Sequence, residues 1–189
     1  CEIRPEGVIA GRGSSHRHGG ETAMAFAALA GGALAPGLKV PNVVDVTAVT
    51  AAVESALGDV NAKTRDLTLV VPDAATRVLL LDFDALPAKR AEAMAVVRFR
   101  LRKMVPFDVE SAAVSYQAMA QRAGQLSVLV TVMPGDVLAE YEGVVRDAGY
   151  SPGVVLPSTL AVAAAIESSE AALMVNHAGS LVTTAVTQG

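Results

Sequence analysis

The stretch from Leu67 to Phe107 constrains the fold more than any other part of the chain. It opens on Leu67-Thr-Leu-Val-Val-Pro72, a short apolar run that a proline closes. After the turn Asp73-Ala74-Ala75 comes a second apolar run, Thr76-Arg-Val-Leu-Leu-Leu-Asp-Phe83. Two such runs joined by a short polar turn predict paired antiparallel strands. Pro87 then stands where a first helical turn tolerates it, because no N–H is needed there. From Ala88 the period changes: Met94, Val97, Leu101, Met104 and Val105 recur at helical spacing. The other face carries Lys89, Arg90, Arg98, Arg100, Arg102 and Lys103, with Glu92 the only acid on the helix. Val105-Pro106-Phe107 ends the helix, since proline disfavours helical geometry in the residue before it.

A chain of 189 residues buries enough surface for a real core, about 70% of what its unfolded form exposes. Hydrophobic residues make up 52%, too many for a disordered chain, yet no apolar run approaches the roughly 20 residues of a spanning helix. Aromatics are only 4%, so the core must be built from Val, Leu, Ala and Met. The net charge of −4 is mild, and nucleic acid is disfavoured as a partner because the sequence shows no basic surface with interleaved aromatics beyond the one helix face. The single cysteine, Cys1, forms no internal disulfide, and a reducing compartment is expected. From the start without methionine and the stop at Gly189, inside an expected hairpin, a fragment of a longer protein is expected.

Around the central unit, elements alternate. Cys1–Arg4 and Gly7–Ala10 are expected as short strands across a Pro5-Glu6 turn. A polar glycine-rich connector, 11–20, leads to Thr22–Ala30, a third strand or a short helix, with its place after a hairpin favouring the strand. Asp45 can cap a helix in which Val46, Val49, Val53, Ala56 and Leu57 repeat. After Phe107, strands are expected at Ala113–Met119 and Leu126–Met133. A helix then starts at Asp136 and stops at Gly149, a natural left-handed C-terminal residue. Pro152–Leu156 is a strand, Ser158 or Thr159 caps an alanine-rich helix to Ile166, and Ala171–Asn176 and Leu181–Thr187 form a final pair. Hairpins and crossovers together predict an α/β chain with mixed sheets.

Few residues carry chemistry on their own. The chain has no phosphate-binding loop ending in Gly-Lys-Ser/Thr and no Gly-x-Ser-x-Gly elbow. Gly11-Arg-Gly13 follows a strand but lacks the third glycine of a dinucleotide fingerprint. His16 and His18 have no carboxylate or thiol nearby and suit a solvated loop better than a metal site. His177 lacks an acid partner fixed by sequence and reads as a turn residue. The basic helix face is lopsided enough to attract an acidic peptide or lobe.

Four stretches together resemble the PilM family of type IV pilus assembly proteins, relatives of the division protein FtsA. They are Leu69-Val-Val-Pro72 with its turn and following strand, and Met104-Val-Pro-Phe107 followed by Tyr116-Gln117. Val130 to Pro134 with the helix to Ala148-Gly149-Tyr150 is the third, and Pro157 to Ala164 leading to Val175-Asn176-His177-Ala178-Gly179-Ser180 the fourth. The resemblance implies an actin-like (ribonuclease H-like) lobe with an inserted α+β subdomain. Residues 1–84 would begin the first lobe, 85–150 would form the insertion, and 151–189 would return to the first lobe and start the second. It implies a cytoplasmic scaffold, peripheral to the inner membrane without inserting into it. Its partner would be the cytoplasmic tail of an inner-membrane protein of the PilN type, held in a groove between the first lobe and the insertion. Arg98, Arg102 and Phe107 are the expected contributors, and a homo-oligomer stays open.

In the actin-like fold two glycine- and serine-rich turns bind ATP phosphates through backbone N–H groups. By the same resemblance, the positions here are Arg4, Pro5, Gly7, Asn176, Gly179 and Ser180. Arg4 and Pro5 stand where glycine and serine are expected, Glu6 adds negative charge, and the lysine is gone. Proline offers no N–H, and Asn176 replaces a metal-orienting aspartate. The expectation is a degenerate nucleotide site with no cofactor and no enzymatic activity; ATP with Mg²⁺ would enter only if the site were functional. That departure brings in the related GspL of type II secretion as an alternative, and an actin-like ATP-binding enzyme as a second.

Overall fold

The structure is a computed structural model. It describes residues 1–13, 22–122, 124–165, 171–178 and 181–187. The chain divides into two compact units. The first comprises Cys1–Pro36, Pro41–Asp73 and Ala139–Gly189; the second comprises Gly37–Val40 and Ala74–Leu138. The expected limits at 85 and 150 each lie about one element later than these.

In the first unit a five-stranded mixed sheet has the order β3-β2-β1-β4-β8. Its strands are β1 (Glu2–Arg4), β2 (Gly7–Arg12), β3 (Ala23–Ala28), β4 (Asp66–Val71) and β8 (Ser151–Pro157). The hairpins β1–β2 and β2–β3 are antiparallel, whereas β1–β4 and β4–β8 are parallel. Helix α1 (Val46–Asp59) buries Val49, Ala52, Val53, Ala56 and Leu57 and packs on β2 and β3. Asp45 caps it, accepting the Ala48 N–H at 2.9 Å. Val46, assigned to the buried face by its spacing, is half exposed because it lies in the first turn. Helix α4 (Ser158–Ala165) follows β8, and the strands β9 (Ala172–Ala178) and β10 (Leu181–Thr187) pair antiparallel.

In the second unit β5 (Arg77–Phe83), β6 (Ala113–Arg122) and β7 (Gln125–Met133) form an antiparallel sheet in the order β5-β7-β6. Helix α2 (Arg90–Leu101) covers one face. Val97 and Leu101 join Leu81, Val128, Val130 and Val132 in its core. The helix starts three residues beyond Pro87, with Lys89 as its cap, and a turn from Leu101 closes it before Val105. Helix α3 (Gly135–Asp147) begins in the second unit and ends in the first.

One expectation is corrected. The runs at 67–72 and 76–83 are strands, β4 and β5, but they do not pair with each other. β4 pairs with β1 and β8, and β5 with β7. Pro72 and the 3-10 turn Asp73–Ala75 lie between them. That turn coils the chain out of one sheet rather than folding it back as a tight hairpin does.

Two glycines of α3 test the packing with opposite signs. A Cβ on Gly135 would lie 2.3 Å from the Ser111 carbonyl oxygen, whereas one on Gly143 meets nothing within 4 Å. Gly135→Ala should therefore lower stability by about 1–3 kcal/mol. Gly143→Ala, on an open helix interior, should raise it by about 1 kcal/mol. Urea denaturation of the two variants reads both.

Candidate functional site

The carboxyl ends of the parallel strands β1, β4 and β8 gather a polar cluster in the first unit, where open α/β sheets place their sites. Asp73 follows the end of β4 and Ser158 the end of β8, while Glu2 lies in β1. Ser158, Thr159 and Asn176 are buried. Burial obliges each polar atom to find a partner.

The hydrogen bonds run in a definite direction. Asp73 accepts the Thr159 N–H at 3.0 Å through Oδ1. Its Oδ2 accepts the Thr159 hydroxyl, the Thr183 hydroxyl at 3.3 Å and, most weakly, Asn176 Nδ2 at 3.4 Å. A carboxylate only accepts, so the Asn176 amide must turn its NH₂ toward Asp73. That NH₂ also donates to the Ser158 and Thr159 hydroxyls, each at 3.2 Å. The Ser158 hydroxyl donates in turn to Glu2 Oε1 at 3.0 Å, and Arg4 donates to Glu2 Oε2 at 2.7 Å. Asp73 thus caps the first turn of α4, whose positive end favours an anion.

The β1–β2 turn is tight. Arg4 pairs with Gly7 across Pro5 and Glu6. A Cβ on Gly7 would sit 2.4 Å from the Ala27 carbonyl oxygen and 2.5 Å from the Phe26 ring, so only glycine fits there. Arg4 Nε is buried without a hydrogen-bond partner among the described residues. Of the six expected nucleotide-site positions, the structure links Arg4 and Asn176 through Glu2 and Ser158. Pro5 and Gly7 form the turn itself. Gly179 and Ser180, like His16 and His18, lie outside the described residues. No group of three or more acidic, His or Cys side chains stands together as a metal site among the described residues. Sequence reasoning missed Asp73, Glu2 and Thr183 as members of the cluster. Asp73 had one usable signal, its place directly after the strand end Val71-Pro72.

A cavity of about 670 Å³, lined by Arg12, Lys63, Asp66 and Tyr150 among others, shares no residue with this cluster. It borders the start of β4, whereas Asp73 follows that strand's end.

In the second unit the three expected partner-binding residues occupy one neighbourhood. Arg98 donates to the carbonyl oxygens of Val109 and, at 3.1 Å, Ala112. Arg102 pairs with Glu110 at 2.5 Å, with both side chains more than half exposed. Phe107 packs against the unit's core. Asp108 folds the same segment by accepting the Glu110 and Ser111 N–H groups. The Glu110 backbone N–H chiefly holds its carboxyl below the usual carboxylate range. In the first unit Glu140 accepts the Asn42 and Val43 N–H groups, and Tyr141 donates to Asn42. Burial, aided by Glu140, pushes that phenol above its ordinary range.

Solved structures that share this fold include two from secretion-related systems. A chain of the PilM-PilN type IV pilus biogenesis complex matches with a TM-score of 0.81 at 18% identity, over 100% of this chain and 57% of that one. The fold is actin-like. The cytoplasmic domain of EpsL, an inner-membrane component of the type II secretion system of Vibrio cholerae, matches with a TM-score of 0.63 at 13% identity. That match covers 100% of this chain and 68% of the other. The chain therefore spans little more than half the length of the pilus protein it resembles. No family model and no curated protein matches the sequence. Among the described residues no helix is long and apolar enough to cross a membrane.

The cluster makes a direct prediction. Asn176→Asp replaces a donor with a second carboxylate beside Asp73, so one of the two must resist ionisation. The carboxyl introduced there has its folded pKa raised above the unfolded value of about 3.9. A raised folded pKa means that stability falls as pH rises through it. The variant should be less stable than wild type by about 1–3 kcal/mol at neutral pH, and the deficit should shrink toward acid. Urea midpoints measured across pH check both the size and the sign.

Proposed function

We propose that the chain is part of a cytoplasmic scaffold of a type IV pilus assembly machine. In this reading it docks the cytoplasmic tail of an inner-membrane partner of the PilN type and works without a nucleotide. The observation that carries the reading is the match to a chain of the PilM-PilN complex along the whole of this chain. The weaker likeness to EpsL supports the type II secretion alternative on the same fold.

The absence of a working nucleotide site is supported by the chemistry of the corner. Mg²⁺ needs hard anionic oxygens with free lone pairs. Here Asp73 and Glu2 already accept from Thr159, Thr183, Asn176, Ser158 and Arg4. Phosphate needs N–H donors, and Pro5 supplies none. The first turn of α4, a ready anion site, is capped by Asp73. These residues do not fit a Mg-nucleotide, and no catalytic step is derived from them.

For the partner tail, Arg102 is the residue able to exchange its ion pair, since that pair with Glu110 is exposed. Arg98 and Phe107 contribute by shaping the segment that Arg102 flanks. Calorimetry of the full chain with a synthetic partner tail should give saturable binding, weakened by about tenfold in Arg102→Glu. The same instrument with Mg-ATP should show no Mg-dependent heat. Tight Mg-dependent ATP binding would overturn the nucleotide-free reading, and absence of tail binding would overturn the scaffold reading.

A further inference from the structure

Charge is unevenly spread along this chain. Residues 89–103 hold six of the 15 Lys and Arg and one of the 19 Asp and Glu. That stretch carries a formal +5 in a chain of −4, so the remainder carries −9. Half of the six cations are spent internally. Arg98 is bound to the Val109 and Ala112 carbonyls, Arg102 pairs with Glu110, and Lys89 pairs with Glu92 at 3.2 Å. Arg90, Arg100 and Lys103 have no ion-pair partner among the described residues.

Beside these free cations lie apolar side chains that the core does not take. Helix α2 buries Ala93, Val97 and Leu101 at four-residue spacing. Val96, Phe99 and Arg100 follow the i, i+3, i+4 rule and so share a flank next to that buried face, and Lys103 stands in the turn just beyond the helix end. Phe99 is 68% exposed, Val96 37%, and Met104, just beyond the helix, 45%. A large aromatic left this far in water, with cations on its own flank, is the composition of an interfacial helix surface.

We propose that this flank of α2 is a contact surface for an anionic lipid bilayer. Arg100 and Lys103 would meet acidic headgroups while the Phe99 ring sinks to the headgroup boundary, without spanning the membrane. The occupant follows from charge complementarity combined with shape. Exposed apolar side chains and unpaired cations side by side match a planar surface that is anionic outside and apolar beneath. Each cation near such a surface contributes about 1 kcal/mol, so the contact is weak alone and effective as a second attachment. This inference does not need the pilus reading, because the lipid is offered without any partner tail.

The test is sedimentation of the full chain with vesicles of phosphatidylglycerol and phosphatidylcholine in equal parts, against vesicles of phosphatidylcholine alone. The chain should pellet with the first and not the second, and salt should weaken the binding. Arg100→Gln/Lys103→Gln should bind the anionic vesicles about 30-fold less tightly, and Phe99→Ala about tenfold less. Melting curves should stay unchanged, because these side chains are exposed. Equal binding to both vesicle types, no binding, or wild-type binding by the double variant would overturn the proposal. So would capture by polyglutamate without capture by the anionic vesicles, which points to an acidic protein instead.

Discussion

The Asp73 carboxylate is the point on which the first unit's polar corner turns. One carboxylate accepts from the backbone and hydroxyl of α4's first turn, from an amide on β9 and from a hydroxyl on β10. Hydrogen bonds to an ionised acceptor are the stronger kind, and burial of their donors raises the cost of breaking any one. Removal of Asp73 would strand Thr159 and Asn176, both buried, without their common acceptor. The helix terminus, the hairpin and the end of β4 are therefore held by a single charge.

The same economy extends to the neighbouring polar groups. Asn176 donates where an aspartate would only accept, and its NH₂ reaches three oxygens at once. Glu2 is quenched on one side by Arg4 and on the other by Ser158. Asp73, Thr159, Asn176, Ser158, Glu2 and Arg4 are joined in one hydrogen-bond network.

In the second unit, charge divides by geometry. Arg98 lies where its guanidinium can reach two carbonyls of the 109–112 segment, and that segment is fixed in turn by Asp108. Arg100, two positions along, projects from another side of the helix and has no ion-pair partner among the described residues. Arginines two residues apart thus have a structural and a surface role, set by the 100° step of the helix.

Much of the local structure was legible because it depends on near neighbours. Asp45 as a cap, Gly149 as a helix stop with its positive φ of 80°, and the amphipathic spacing of Val97 and Leu101 all follow from a few adjacent residues. The Arg4-Pro5-Glu6-Gly7 turn was legible for the same reason. The partners of β4 and β5 were not, because period-two apolar runs fit any sheet and only Pro72 with its 3-10 turn diverts one from the other. Nor was Asp73's role, since Thr159, Asn176 and Thr183 lie 86 to 110 residues away. The sequence by itself determined the elements, the loss of donor groups at Pro5 and the excess of cations on one helix. Only the tertiary structure decided which carboxylate gathers the buried donors and which cations stay free, because both depend on distances between side chains that the chain order does not contain.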